Sequence, residues 1–313
     1  MQKLLEVRKR TVTVRSIRSL ASTMATVASA KLSRTRERAA GMRVYAERMR
    51  GVVRRQQAAA AALGIDLVSL SPFLQPHPEV RRVLLLHVTG DRGMCGAYNS
   101  AIDRVADSFV RKRLAGGLEV SAIAKGLKGE KFLRRRTKAA VLEAAGWPRA
   151  GVTAEEIDAL AERLWQAFLT GEADEVWCTY TRFYSPLRRY PTVVRLLPLS
   201  FEGVATAEPA AAGESGGVTR WFYEPDLATI LTELLGVFLR LQIEDVLLES
   251  YASEQGARMI TMEEATERAD RSLQELTVAY NRLRREVITT DLLGVLFASA
   301  LREREHAEGP GEA

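Results

Sequence analysis

The distribution of proline constrains the fold of this 313-residue chain more than any other feature of its sequence. All ten prolines lie between Pro72 and Pro310, and apart from Pro310 they end at Pro225, so residues 1–71 and 226–309 contain none. A proline inside an α-helix costs about 3 kcal/mol. The sequence therefore predicts a long helix over residues 1–62, a middle domain over residues 63–224, and a second long helix over residues 225–313.

Both proline-free stretches carry a heptad pattern. In the second stretch a 4,3 spacing selects mostly apolar residues: Leu227, Leu231, Leu234, Phe238, Leu241, Asp245, Leu248, Ala252, Gln255, Met259, Met262, Thr266, Ala269, Leu273, Leu276, Tyr280, Leu283, Val287, Thr290, Gly294, Phe297 and Leu301. In the first stretch it selects a thinner stripe that is rich in alanine: Leu4, Val7, Thr11, Val14, Arg18, Ala21, Ala25, Ala28, Leu32, Thr35, Ala39, Met42, Ala46, Met49 and Val53. Heptads sustained over this length predict a supercoiled helix pair. Four polar or small positions of the second stripe are weak for a plain coiled coil, and we expect the parts of the helix that carry them to face another protein: Gln255, Thr266, Thr290 and Gly294.

The charge of the chain is distributed unevenly. Lysine and arginine minus aspartate and glutamate give 15 − 3 = +12 for residues 1–62, 21 − 19 = +2 for residues 63–224, and 9 − 17 = −8 for residues 225–313. Opposite charges favour pairing of the two long helices. A basic arm is also compatible with a scaffold or a nucleic-acid-binding protein, although Tyr45 is the only aromatic residue before Phe73 and bases would have little to stack on.

The middle segment alternates between strand and helix patterns. Four short apolar runs predict strands: Val83–Val88, Val120–Ala124, Val176–Thr181 and Thr192–Leu197. Helices are predicted over Ile102–Leu114 and over Ala154–Leu169, where Thr153 and Glu156 have the spacing of a capping box. The pattern indicates an α/β fold with a largely parallel sheet, flanked by the long helices. Thr206–Gly217, rich in alanine and glycine, is predicted to be a surface loop.

The residues offer little catalytic chemistry. Gly90, Gly93 and Gly96 follow the first strand, but they form GxxGxxG rather than the GxGxxG of dinucleotide-binding folds, and no P-loop is present. Three histidines and two distant cysteines leave no zinc spacing. The residues therefore favour a coiled-coil scaffold or a nucleic-acid-binding protein over a nucleotide-binding enzyme. Since no run of 18 apolar residues occurs, we expect no membrane span, and the charged start predicts no secretory signal.

Three separated motifs are more specific. They are the run Arg18–Met24 continuing through Val27–Leu32, the turn Asp91–Asn99 (DRGMCGAYN), and the block Ser253–Met259 (SEQGARM). Together they resemble the gamma subunit of F-type ATP synthases, in order along nearly the whole chain. The resemblance implies an antiparallel coiled coil of the N- and C-terminal helices on a Rossmann-like α/β domain.

The resemblance also implies a function. In that family the shaft turns inside a ring of catalytic and non-catalytic nucleotide-binding subunits, and its foot rests on the membrane c-ring that ion flow drives. The gamma subunit is not itself an enzyme and needs no cofactor. The implied partners are those subunits and an epsilon-type small subunit, with no nucleic acid. The implied location is peripheral, on the cytoplasmic face of the energy-transducing membrane.

Site residues follow by position in the family's motifs. Contacts to the catalytic subunits are implied for Met24, Lys31, Glu254, Arg258, Arg284, Arg285, Thr289 and Asp291. Contacts to the membrane ring are implied for Tyr223 and Glu224. Catalytic and metal-binding residues are not implied.

Overall fold

The computed structural model describes residues 2–62, 66–199 and 227–307. Their elements in chain order are α1 (Gln2–Ala62), α2 (Leu67–Leu70), β1 (Arg82–Val88), α3 (Tyr98–Ala115), β2 (Glu119–Lys125), α4 (Leu127–Arg136), β3 (Ala140–Ala145), α5 (Ala154–Leu169), β4 (Glu175–Phe183), β5 (Arg189–Leu197) and α6 (Leu227–Ala307). The two long helices match the proline-free stretches. The loop predicted over Thr206–Gly217 lies outside the described residues.

The strands form one mixed sheet in the order β3-β2-β1-β4-β5. The first four strands in that order are parallel, and β5 is antiparallel to β4. In register, Leu85 of β1 lies opposite Ala122 of β2 and Trp177 of β4. The sheet is thus largely parallel, as the sequence predicts.

Both faces of the central strand are covered. Leu84 and Leu86 point into a core shared with α5 and the long helices, whereas Leu85 points into a second core with α3 and α4. All three leucines are fully buried, and each contributes about 2 kcal/mol through removal of its side chain from water. Burial on both faces explains why β1 is a continuous apolar run rather than an alternating one.

Helix α4 and strand β3 were not predicted from the sequence. The ten residues of α4 include five lysines and arginines but bury only Gly129 and Leu133, so their apolar period is too short to detect. Strand β3, Ala-Val-Leu-Glu-Ala-Ala, is composed largely of good helix formers and is mostly exposed. Pairing with β2 overrides that preference.

Contacts divide the chain into two units, Met1–Thr26 with Met262–Ala313, and Val27–Thr261. In the first unit the two long helices pack through a small cluster in which Ala21, Ala25 and Met262 are buried. Further out, Arg18 forms an ion pair with Asp270. Since lower numbers on α1 face higher numbers on α6, the helices are antiparallel, and the predicted fold class is confirmed.

The heptad stripe matches burial up to a definite point on α6. From Met262 to Val287 its positions are buried or half-buried, whereas Thr290, Gly294 and Phe297 are exposed. In an antiparallel pair, the sixteen residues from Arg18 back to Gln2, where α1 begins, correspond to the sixteen residues from Asp270 forward to residue 286 on α6. Gln2 therefore lies opposite residue 286. Beyond that residue α1 offers no partner among the described residues.

None of the helices in the described ranges combines the length and the apolar character that crossing a bilayer requires.

Candidate functional site

The turn after β1 packs against the middle of α6. The Tyr98 hydroxyl donates to the carbonyl oxygen of Ser250 over 3.0 Å. At the other end of the contact, a Cβ added to Gly96 would lie 3.1 Å from Oγ1 of Thr261. The fold therefore brings together the second and third motifs, which are more than 150 positions apart in the sequence.

Small residues on α6 permit this approach. Ser253 is fully buried and donates through Oγ to the carbonyl oxygen of Thr181 at 3.0 Å. A Cβ on Gly256 would lie 3.3 Å from Cα of Pro186. Larger side chains at either position would push the helix away from the β4–β5 hairpin.

Glu254 and Arg258 form a buried ion pair at the centre of this contact. They are 4% and 9% exposed, and Arg258 Nη2 lies 2.5 Å from Glu254 Oε1. Arg258 also donates through Nη1 to Gln255 at 3.2 Å. The pKa of Glu254 is raised above its ordinary value, because the effect of burial outweighs the opposing effect of the positive charges of Arg258 and Lys31. The carboxylate lies directly against the turn, because a Cβ on Gly90 would come within 2.7 Å of Oε1.

Asp91, in the loop after β1, accepts hydrogen bonds from the loops that follow β2 and β3. Its Oδ1 accepts from the amide of Leu127 at 3.0 Å, and its Oδ2 accepts from the amide of Trp147 at 2.8 Å. The carboxylate thus lies at the first residue of α4, where a helix favours negative charge. Asp91 therefore holds the turn in place, whereas Arg92 beside it is exposed.

The same contacts fill the place where a nucleotide phosphate would lie. In doubly wound folds the phosphates bind at the carboxyl ends of the strands and at a helix N-terminus. In this chain the Asp91 carboxylate lies at that place and accepts a hydrogen bond from the amide of Leu127. Lys125, at the same edge, is buried, donates to the carbonyl of Gly146 at 2.7 Å and pairs with Glu156. Burial lowers the pKa of Lys125 to about 8. The described residues also contain no cluster of three or more side chains suited to a metal ion.

We expect the full chain to bind neither ATP nor NADH with a dissociation constant below about 10 μM, equivalent to about −7 kcal/mol. The physical reason is that a phosphate at this edge would meet the Asp91 carboxylate and would have to displace it from two backbone amides. Isothermal titration calorimetry measures this directly. Tighter binding of either nucleotide would contradict the prediction and return the enzyme hypothesis to consideration.

Met24 and Lys31 occupy different environments along α1. Met24 is half-buried beside Ala21 and Ala25, and packs against the cluster that contains Met262. Lys31 is half-buried and close enough to Glu254 to lower its pKa. The structure therefore brings Lys31 near the Glu254–Arg258 pair, whereas Met24 belongs to the other unit.

The remaining predicted residues of α6 lie off the seam, as their heptad positions indicate. Arg284, Arg285, Thr289 and Asp291 are all exposed. Arg284 and Asp291 are seven positions apart and share one side of the helix, and Arg285 and Thr289 share a neighbouring side. Among the described residues none forms an ion pair with Arg284, Arg285 or Asp291. Tyr223 and Glu224 lie outside the described residues.

The end of α6 carries an apolar surface that was not predicted from the sequence. Six large apolar side chains there are between 46% and 69% exposed: Ile288, Leu292, Leu293, Val295, Leu296 and Phe297. At about 100° per residue they cover about 200° of the helix circumference, a face wider than the stripe that one partner helix packs against. The weak heptad positions Thr290 and Gly294 predicted a protein partner here without identifying these residues. The same prediction is wrong at Gln255, which is 3% exposed and buried within this chain.

Comparison with known proteins gives one family over nearly the whole chain. A family model described as ATP synthase matches residues 3–300. The ATP synthase gamma chain of Geobacter metallireducens is 33% identical over 301 residues, which is 95% of this chain and 97% of that protein. The gamma chain of a Synechococcus strain is 34% identical over 314 residues, covering 95% of this chain and 98% of the relative.

Solved structures share the fold. A chain in the mitochondrial ATP synthase of Euglena gracilis, in an assembly of OSCP, F1 and c-ring, aligns with a TM-score of 0.61 at 15% identity. The alignment covers 99% of this chain and 97% of that chain. A chain from the central stalk and c-ring of the Tetrahymena thermophila mitochondrial enzyme aligns with a TM-score of 0.54 at 22% identity, covering 79% and 99%.

Proposed function

This chain belongs to the ATP synthase gamma chain family, and from that premise we propose how its residues serve the central rotating shaft of an F-type ATP synthase. The shaft couples transmembrane ion flow to synthesis or hydrolysis of ATP in the catalytic head. The chain itself is a non-catalytic subunit. Its contribution is mechanical, because a rotating shaft with unlike sides offers different contacts to each catalytic site and so shifts each site's affinity for nucleotide.

The observation that carries this function is the antiparallel pairing of two helices 61 and 81 residues long. Their seam is narrow, because Ala21 and Ala25 allow the backbones to approach closely. The charged and large apolar residues of α6 beyond Val287 are left for other proteins. A helix pair that needed only to be a stable scaffold would not expose Leu292, Leu296 and Phe297.

We propose that the exposed end of α6 is enclosed by the head subunits. Arg284 and Arg285 bind acidic or carbonyl groups of a catalytic subunit, and Thr289 and Asp291 add polar contacts on the same two sides of the helix. Charged groups enclosed by protein need polar partners. Within the described ranges neither arginine forms an ion pair, and Arg285 donates only to the carbonyl oxygen of Asn281, at 3.4 Å. The apolar residues beyond them cover about 200° of the helix circumference, which fits contacts with more than one surrounding subunit.

We propose two further contacts to the catalytic subunits on α1, one at Met24 and one at Lys31, which lie in different units of the chain. Both side chains are half-buried, so each retains surface for a partner. Glu254 and Arg258 contribute to the contact at Lys31 indirectly. Because their ion pair is buried against the turn at Gly90, it fixes the position of α6 rather than presenting charge to another protein.

We propose that the foot, the sheet-bearing part of Val27–Thr261, meets the membrane ring through Tyr223 and Glu224, next to the start of α6. This arrangement makes the chain a peripheral subunit on the cytoplasmic face of the membrane. The epsilon-type small subunit binds the foot, where the exposed Arg92 beside the Asp91 turn offers a polar contact.

Replacing Arg284 and Arg285 together with alanine is expected to lower ATP turnover coupled to proton or sodium transport by about tenfold or more, since two charge-assisted contacts of about 1.5–3 kcal/mol each are lost. The free chain should melt unchanged, because both side chains are exposed. The measurement is ATP-driven ion pumping by the reconstituted complex. Arg104 and Arg149, two exposed cations of the foot, provide the matched double-alanine control. Unchanged turnover in the Arg284/Arg285 variant, or an equal loss in the control, would contradict the proposed contact.

The whole proposal is tested by purification of the chain from its native source. A rotor subunit should be recovered with the nucleotide-binding subunits of the head at one copy per head. Recovery of the chain alone, or with nucleic acid, would overturn the shaft function.

A further inference from the structure

The amino edge of the parallel strands carries a dense group of basic side chains. Strands β1 to β4 all begin at this edge, and α3 and α4 end there because each connects two parallel strands. The last turn of α3 contains Lys112 and Arg113. The last turn of α4 contains Arg134, Arg135 and Arg136. Lys138 follows in the chain, just before β3.

Several of these cations are already paired. Arg113 lies 4.7 Å over the ring of Trp177 and 3.8 Å from Glu175. Arg134 pairs with Glu130 at 3.0 Å. Four others, Lys112, Arg135, Arg136 and Lys138, are exposed and form no ion pair within the described ranges. We call these four residues the basic edge.

Helix stabilisation accounts for only part of the basic edge. Cations in the last turn of a helix interact favourably with its dipole, which explains one or two of them per helix. Lys138 lies outside the last turn of α4, after the Thr137 cap. The exposed carboxylate of Glu119 at the start of β2 offsets one of the four charges.

The fold indicates which way this edge faces. Strand β5 runs antiparallel to β4 and ends at the same edge, because Leu197 lies opposite Val176 at the start of β4. Residues 200–226 connect this end to α6 and include Tyr223 and Glu224, which we assign to the membrane ring. Helix α6 begins on the same side, because Phe73, whose carbonyl oxygen accepts from the Leu199 amide at 2.8 Å, has ring atoms 3.6 Å from the place of a Cβ on Gly236. The basic edge is therefore on the side of the foot where β5 ends and α6 begins.

We propose that the basic edge binds the anionic headgroups of membrane lipids. This inference rests on the proposed function for the direction in which the foot faces. Clusters of four to eight lysines and arginines beside a membrane are typical of electrostatic lipid binding, and each cation strengthens it about fivefold. Such attraction is diffuse and needs no fixed pocket, so it holds the foot towards the membrane surface without opposing rotation.

The test measures sedimentation of the full-length chain with vesicles. Vesicles of phosphatidylcholine are compared with vesicles in which about one third of the lipid is phosphatidylglycerol. We expect the native chain to bind the anionic vesicles, and the quadruple variant Lys112→Gln, Arg135→Gln, Arg136→Gln and Lys138→Gln to bind them at least about 30-fold more weakly. A variant with Arg135→Lys and Arg136→Lys keeps the charge and should bind like the native chain.

The matched control removes four exposed cations from the basic start of α1: Arg8, Lys9, Arg10 and Arg15, each replaced by glutamine. It changes the net charge equally and should retain most of the binding.

Three outcomes would each overturn the proposal. The first is an equal or larger loss of binding in this control, and the second is equal binding of the native chain to neutral vesicles. The third is release of the chain by glycerol phosphate but not by chloride at the same ionic strength. Circular dichroism on every variant verifies that the chain is folded. If the quadruple variant does not fold, the double variant Lys112→Gln with Lys138→Gln takes its place.

The assay contains neither the head nor the ring. A negative result therefore leaves the shaft function intact, whereas failure of the co-purification experiment would remove the shaft function without affecting the vesicle result.

Discussion

Replacing Gly126 with alanine is expected to destabilise the foot by at least about 4 kcal/mol. Gly126 joins β2 to α4 with φ 106° and ψ 130°, a conformation that side chains with a Cβ adopt only with strain. The new Cβ would also lie 2.3 Å from the carbonyl oxygen of Thr89, a backbone atom that cannot rotate away. Since the Thr89 amide donates to the carbonyl of Lys125 at 2.7 Å, relief of the clash would break the contact between β1 and β2.

Alanine variants at two other glycines distinguish the steric clash at Gly126 from its backbone strain. A Cβ added to Gly93 would have no atom within 4 Å, and its φ is not positive, so the alanine variant should change stability by less than about 0.5 kcal/mol. Gly117 has φ 77° but open space around it, so its variant should show the backbone strain alone, about 1 kcal/mol. Urea unfolding followed by tryptophan fluorescence measures the foot, because Trp147, Trp165 and Trp177 all lie within it. A Gly126→Ala loss no larger than that of Gly117→Ala would show that the clash with Thr89 is absent.

The sequence predicts those parts of the fold that carry a local pattern: a heptad, an apolar run or a capping pair. Long heptads and the absence of proline indicated α1 and α6, and the capping pair Thr153 and Glu156 indicated the start of α5, where the Thr153 hydroxyl accepts from the Glu156 amide at 3.4 Å. Two elements without such a pattern, α4 and β3, were missed. Strand β3 is a strand only because β2 lies beside it, and such a tertiary contact leaves no periodic trace in six residues.

The candidate site was predictable as a set of motifs but not as a geometry. Nothing in the spacing of Asp91 indicates that its carboxylate accepts amides from Leu127 and Trp147, which follow two other strands. Likewise, Glu254 has the sequence context of a polar surface position on a helix, and its burial follows from the close approach of the turn at Gly90. Long-range packing, rather than residue type, decides whether such a carboxylate meets a partner protein or the interior of its own chain.

Removing the positive partner of Glu254 should reveal that burial. Arg258→Met is expected to destabilise the foot by about 3–5 kcal/mol at neutral pH, because it leaves a carboxylate that is 4% exposed without its ion pair. The double variant Glu254→Gln with Arg258→Met should recover most of the loss, since it buries no charge. Unfolding in urea at constant pH measures both, and a double variant as unstable as the single one would assign the loss to packing instead.

The dependence on pH identifies the carboxylate as the cause. Burial raises the pKa of Glu254 above the unfolded value of 4.5, so the folded chain holds this proton more tightly, and stability falls as pH rises from 4.5 through the folded pKa. Without Arg258 the pKa rises further, and this fall extends to higher pH. The deficit of Arg258→Met relative to the native chain should therefore be small near pH 4.5 and should grow towards neutrality, by about 1.4 kcal/mol for each unit of additional pKa rise. Lys31 on α1 and Asp91 in the turn face the same carboxylate with opposite effects on its pKa, and both are unchanged in the two chains.

In the Glu254→Gln background the Arg258→Met deficit should not vary with pH, because the titrating group is gone. A deficit that stays constant from pH 4.5 to neutrality in the native background would show that the loss comes from the arginine's packing and hydrogen bonds and not from a buried charge.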